Sequence, residues 1–182
     1  GDHLGDHHAW QKESFFEASC RVPFLVSWPG KLAADTRNDA LVGLSDLFGL
    51  ATTAAGNPEL RDGVDVLGIA SGDSPEAERK TLFGYYGKPG GQQFKIMVRE
   101  GDWKYIFIAN GGREQLFNVT EDPNELTLRN TSNPDVLHRL RQSAVEGCMK
   151  PGVDDALEGE TLKSFPFTPR DYHKRITQMD KS

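Results

Sequence analysis

The sequence predicts a mixed α/β chain in which a more open α/β stretch leads into an antiparallel sheet followed by a helix. Three observations predict it. Residues 22–28 (VPFLVSW) form a short apolar run closed by Pro29-Gly30, the pattern of a buried strand. Residues 45–55 and 134–148 carry apolar side chains at helical spacing. Residues 94–119 alternate apolar and polar positions between glycine-containing turns, as strands of a meander do.

Taken in order, residues 22–28 are expected to be a central parallel strand, with Pro23 tolerated because it removes a donor only at the strand's start. Residues 31–39 are a polar loop, and residues 40–44 a further short strand. Ser45 is placed to cap a helix whose face is Leu47, Phe48, Leu50, Ala51, Ala54 and Ala55, with Asp46 in its first turn and Gly56 and Pro58 ending it. Residues 57–78 read as an acidic loop and 79–86 as a strand. In the meander, Ile96, Val98, Trp103, Tyr105 and Phe107 keep period two, with hairpin turns at 100–102 and 110–112. Asn133 and Pro134 open the second helix, with Val136, Leu137, Leu140 and Val145 inward and Arg139 and Arg141 in solvent. Residues 152–182 are expected to be an extended tail with a short helix near 170–179.

Composition bounds the function. A net charge of −6 and a pI near 5.4 argue against a nucleic-acid-binding surface, though a single local cation can still hold an anion. No run approaches the ~20 apolar residues of a membrane span. Hydrophobic content of 37%, with 19 glycines and 10 prolines, allows a modest core and many loops. Two cysteines, Cys20 and Cys148, cannot define a disulfide framework, and Cys20 is expected to be a packed free thiol. Asn118 and Asn130 stand in Asn-x-Ser/Thr triplets.

The chemistry concentrates in residues 1–23, GDHLGDHHAWQKESFFEASCRVP. Asp2, His3, Asp6, His7 and His8 fall within eight residues, and histidine with carboxylate suits a divalent metal or an acid–base site. The order Leu4-Gly5-Asp6-His7, Trp10-Gln11-Lys12, Phe16-Glu17 and Arg21-Val22-Pro23 resembles the metal-and-lysine segment of type I sulfatases, in the alkaline phosphatase superfamily. A second match lies downstream: Arg99, Gly101-Asp102-Trp103-Lys104-Tyr105-Ile106, Glu114-Gln115-Leu116-Phe117-Asn118-Val119 and Asp122-Pro123-Asn124-Glu125.

The resemblance implies a fold and a set of roles. Residues 1–80 would be the end of an alkaline-phosphatase-like α/β core, 81–150 a small subdomain of antiparallel sheet with one packed helix, and 151–182 a tail. It implies a sulfuric ester hydrolase in which Lys12 contacts the sulfate and His7 and His8 line the substrate. Trp10 is expected to pack beneath that loop, and a Glu17–Arg21 pair to orient it. Asp2 and His3 sit beside the site. The implied Ca2+ would have its ligands just before Gly1, outside these residues. The formylglycine motif Cys/Ser-x-Pro-x-Arg is not found: Cys20-Arg21-Val22-Pro23 and Cys148-Met149-Lys150-Pro151 both misplace the proline. The nucleophile is therefore expected upstream, in a preceding half of the enzyme with which this chain pairs, and the chain alone is expected to be inactive. The implied substrate is a small sulfate ester or a sulfated sugar. A periplasmic or secreted setting is slightly favoured, and the oligomeric state is not readable. Two alternatives stay open. One is a phosphonate monoester or phosphodiester hydrolase of the same superfamily, suggested by the His7-His8 pair. The other is a non-catalytic module that stacks a sugar on Tyr85, Tyr86 and Trp103.

Overall fold

The computed structural model describes residues 1–169. Its centre is an antiparallel sheet of four strands in sequence order: β3 (Thr81–Tyr86), β4 (Lys95–Glu100), β5 (Trp103–Ile108) and β6 (Arg113–Asn118). Before it come the two-residue strands β1 (His3–Leu4) and β2 (Trp10–Gln11) and the helices α1 (Glu17–Cys20), α2 (Asp46–Ala54) and α3 (Val66–Ser71). After it come α4 (Pro134–Cys148) and a small hairpin, β7 (Leu157–Glu158) with β8 (Thr161–Leu162). The mixed α/β class read from the sequence is the one found.

Both faces of the sheet are covered, and the period of two decides what covers each. Register places Val98 beside Tyr105 and Ile96 beside Phe107, with Leu116 opposite Tyr105. These side chains face α4 and form the larger core with Leu140, Ala144, Val145 and Cys148. Helix and sheet approach so closely at Gly147 that a Cβ there would stand 2.7 Å from the Phe83 ring. The opposite face carries Met97, Ile106 and Phe117, and Phe15 and Phe16 pack onto it from the N-terminal segment. Gly84 lies on this second face, where a Cβ would stand 2.8 Å from the Phe15 ring.

Helices α2 and α3 are joined to the sheet through Asp46, whose side chain is fully buried. Its carboxylate accepts from the backbone N–H of Gly43 at 2.6 Å and of Val64 at 3.0 Å. Two guanidinium nitrogens of Arg79, just before β3, donate to it at 2.7 Å each. Asp46 stands in the first turn of α2 as expected and serves in addition as a hub between segments, whereas Ser45 makes no side-chain cap.

Several expectations are corrected here. Residues 22–28 are not a buried strand: Val22, Phe24 and Leu25 are exposed, Leu25 by 91%. A strand exists only within a ladder, and among the described residues none lies beside this run. Residues 40–44 are also not a strand, because their backbone is used by side chains: Gly43 donates to Asp46, and the Leu41 carbonyl accepts from Arg79. The acidic loop of 57–78 contains α3, capped by the Asp65 carboxylate on the Gly68 N–H and ended by Gly72 at φ 85°. Cys20 is exposed rather than packed. The tail folds back through β7 and β8, and the helix expected near 170–179 lies outside the described residues.

The Asp46 hub has a pH signature. Burial raises its pKa, but the Arg79 bonds and the Gly43 and Val64 amides outweigh this and hold it below its ordinary value near 3.8. A depressed carboxylate contributes stability that is complete above its unfolded pKa and is lost as pH falls through the folded one. Asp46→Asn should therefore cost about 3–5 kcal/mol at neutral pH by leaving Arg79 without its partner. The gap to wild type should narrow once the pH drops below about 4. Urea unfolding at both pH values checks this, and equal stability at neutral pH would refute it.

Candidate active site

The N-terminal segment folds into a small hairpin, with β1 and β2 pairing His3 with Gln11 and Leu4 with Trp10. Its connecting turn is unusual. Gly5 has φ 112°, and His7, His8 and Gln11 all have positive φ, at 53°, 56° and 66°. Non-glycine residues avoid this region, and such backbone persists only where its surroundings hold it.

The surroundings are visible. The His7 ring stacks on Phe16 with centroids 3.9 Å apart and planes within 5°. Phe16 in turn meets Phe117 of β6 edge-on at 5.8 Å. His3 is buried, with Nε2 2.6 Å from the Ser14 hydroxyl, which also accepts from the Phe16 N–H. The Ser19 hydroxyl donates to the Ser14 carbonyl at 2.8 Å. Lys95 of β4 donates from its ammonium to the Glu13 carbonyl. The hairpin is thus clamped on the sheet by its own following residues.

At the open end of the hairpin stands Lys12. Its ammonium lies 3.2 Å from the Asp2 carboxylate, and the two side chains are 73% and 50% exposed. A pair so exposed holds its partners weakly, so Lys12 is free to turn to another anion. His7 and His8 occupy the turn instead: His7 is half-buried in its ring stack and His8 is exposed. The structure therefore joins Lys12 to Asp2, and His7 to His3 and Phe16.

The expected supports of the site differ. Trp10 does not pack beneath the loop: it is 69% exposed on β2 opposite Leu4. Glu17 does not pair with Arg21, which is exposed just past α1. Glu17 reaches Lys104 of β5 at 2.6 Å instead, because that buried ammonium has no water to satisfy it and a surface guanidinium does. Lys104 also donates to Glu125 at 2.8 Å, and the other oxygen of Glu125 accepts the Glu17 N–H at 2.5 Å. The sequence signal for this cluster was a lysine inside the apolar alternation of β5. Trp103 is likewise not an exposed aromatic but packs against the larger core. Tyr85 is partly exposed, yet its hydroxyl donates to the Gly147 carbonyl at 3.0 Å, and the Tyr86 ring lies 4.8 Å from the Lys95 ammonium.

Among the described residues, no group of three or more histidine, cysteine or carboxylate side chains could hold a metal ion. These residues do not make a cation site by themselves.

Comparison with known proteins places these features in a family. Residues 5–147 match the family described as N-sulphoglucosamine sulphohydrolase, C-terminal. A choline-sulfatase of Rhizobium meliloti (strain 1021) is 34% identical over 135 residues, which is 70% of this chain and 25% of that protein. The chain thus spans about a quarter of the length of this curated relative. A solved structure in complex with its substrate D-glucosamine-2-N,6-O-disulfate superposes with a TM-score of 0.67 at 19% identity, over 80% of this chain and 32% of that one. A phosphonate monoester hydrolase of Silicibacter pomeroyi superposes with a TM-score of 0.69 at 17% identity, over 91% and 37%. At such identities the superpositions speak for a shared fold, and the family match over most of the chain speaks for descent: the chain belongs to the sulfatase family, in the portion described as C-terminal.

Proposed function

We propose that this chain serves a sulfatase that hydrolyses a small sulfate ester or a sulfated sugar, and that it contributes Lys12 to the substrate site. The observation that carries this reading is the presentation of Lys12 on a clamped hairpin, exposed and paired, among the described residues, with a likewise exposed Asp2. Loss of the alcohol from a sulfate ester builds negative charge on the leaving and non-bridging oxygens. A fixed ammonium opposite that charge lowers the barrier, and such electrostatic stabilisation is commonly the largest single catalytic contribution. His7 and His8, at the turn of the same hairpin, line the substrate. The nucleophile, a formylglycine, and a Ca2+ with oxygen ligands belong to parts of the enzyme outside these 182 residues, so the chain alone is inactive.

Two measurements on the full-length enzyme test the reading. Lys12→Ala should lower kcat by at least about 100-fold, in line with removal of a charge-stabilising group; a wild-type rate would refute the assignment. The phosphonate or phosphodiester reading stays in play because the His7-His8 pair suits it and a phosphonate monoester hydrolase shares the fold. Comparing kcat/KM on an aryl sulfate and on a phosphodiester separates the two. The sulfatase reading expects the sulfate to be preferred. A diester preference of about 100-fold, worth about 2.7 kcal/mol of transition-state stabilisation, would overturn it.

A further inference from the structure

On the second face of the sheet, register sets Arg99 of β4 directly opposite Lys104 of β5. Two cations paired across strands repel each other. Lys104 is 1% exposed and cannot relieve this by hydration. Nor is Arg99 at ease: burial lowers its pKa, Glu17, Asp102 and Glu125 oppose that, and its Nη1 is buried without a hydrogen-bond partner. The sheet therefore presents an uncompensated pair of positive charges to whatever covers it.

Two carboxylates supply the compensation, and neither belongs to the sheet. Glu125 comes from the turn after β6 and is 2% exposed, with φ at 55°. Glu17 comes from the first turn of α1, five residues after Lys12. Glu125 holds both members of the junction: one oxygen takes the Lys104 ammonium and the other the Glu17 backbone N–H. The contact is between segments far apart in sequence, and it is made by the residue that follows Phe16, on which the His7 ring is stacked.

We propose that Lys104 and Glu125 are positioning residues for the substrate site: together they form a charged socket on the sheet that seats Glu17 and thereby fixes the hairpin carrying Lys12 and His7. The socket rests on the reading of Lys12 given above, but it adds residues that touch no substrate. Without the Glu17 carboxylate the Lys104–Glu125 pair stays intact, so the sheet remains folded while the hairpin loses its side-chain bond to the socket and keeps only its backbone and ring contacts. Small displacements of a catalytic group cost rate steeply; about 1 Å can cost on the order of 100-fold.

The experiment is a mutant cycle in the full-length enzyme with an aryl sulfate as substrate, joined to amide hydrogen exchange. Glu17→Gln should lower kcat by about 10-fold or more while KM changes by less than about 3-fold. It should also speed exchange at residues 3–20 and leave residues 104–108 as slow as in wild type. In a Lys12→Ala background the same change should cost less than about 2-fold, because the hairpin then has no ammonium to place. Additive losses in the two backgrounds, or exchange accelerated equally in the sheet, would overturn the proposal. A Glu17→Gln, Arg99→Met, Lys104→Met, Glu125→Gln quadruple variant removes both cations and both carboxylates together, so that none is left stranded, and should repeat the Glu17→Gln pattern; unaltered kcat in it would also overturn the proposal. If Lys12→Ala itself keeps the wild-type rate, the catalytic reading of Lys12 fails, and the exchange comparison alone decides whether the socket holds the hairpin.

Discussion

The fold depends on how a buried lysine is satisfied. Lys104 is buried near the start of β5, between Trp103 and Tyr105, and taking an ammonium out of water is expensive unless it is paired and hydrogen-bonded. Its partners, Glu17 and Glu125, arrive from opposite sides in sequence. Satisfying one side chain therefore binds the N-terminal segment, the sheet and the turn after β6 into a single unit. Buried ionic clusters of this kind add little net stability, because desolvation offsets attraction. What they set is geometry, since the Lys104 ammonium is paired only when both carboxylates reach it from their own segments.

A division of labour between the two faces follows. One face is an apolar interface with α4, made of side chains that any hydrophobic packing of the right volume would replace. The other combines a small apolar patch with directional contacts: the Lys104 cluster, the Lys95 bond to the Glu13 carbonyl and the stack from His7 through Phe16 to Phe117. The first face supplies the bulk of the core, and the second orients the hairpin. That the unusual backbone of His7, His8 and Gln11 lies at the end of this chain of contacts is consistent with the contacts holding it there.

Legibility in the sequence followed the range of the forces involved. Helix α4 was readable to its ends from local features, Pro134 at its first position, an inward stripe at helical spacing and the Pro151-Gly152 stop beyond it, although Asn133 makes no side-chain cap and Arg141, expected in solvent, pairs with Glu114. The meander was readable from period two and its glycine turns. Residues 22–28 and 40–44 misled because strand character in isolation says nothing about the ladder a strand requires. Helix α3 is only six residues long, too short for periodicity to show, although the Asp65 and Gly72 caps were present. At the site, Lys12 was pointed to only by the resemblance of Leu4-Gly5-Asp6-His7 and Trp10-Gln11-Lys12 to the sulfatase segment, since a lone lysine carries no local signal of its own. Its supports were misread because Arg21 is close to Glu17 in sequence, whereas Lys104 and Glu125 are brought to it only by tertiary structure.

The two Asn-x-Ser/Thr triplets take on a definite character once their hydrogen bonds are followed. The Asn118 side-chain oxygen accepts from the backbone of Thr120 and Glu121, and the residue is 7% exposed. The Asn130 amide accepts from Leu116 and donates to the Glu114 carbonyl, lacing the segment before α4 to the edge of β6. A sugar attached to either nitrogen would have to be accommodated within a turn or along a sheet edge that the amide already fills. Modification of the Asn130 nitrogen would cost the bond to the Glu114 carbonyl, which ties the segment before α4 to the edge of the four-stranded sheet.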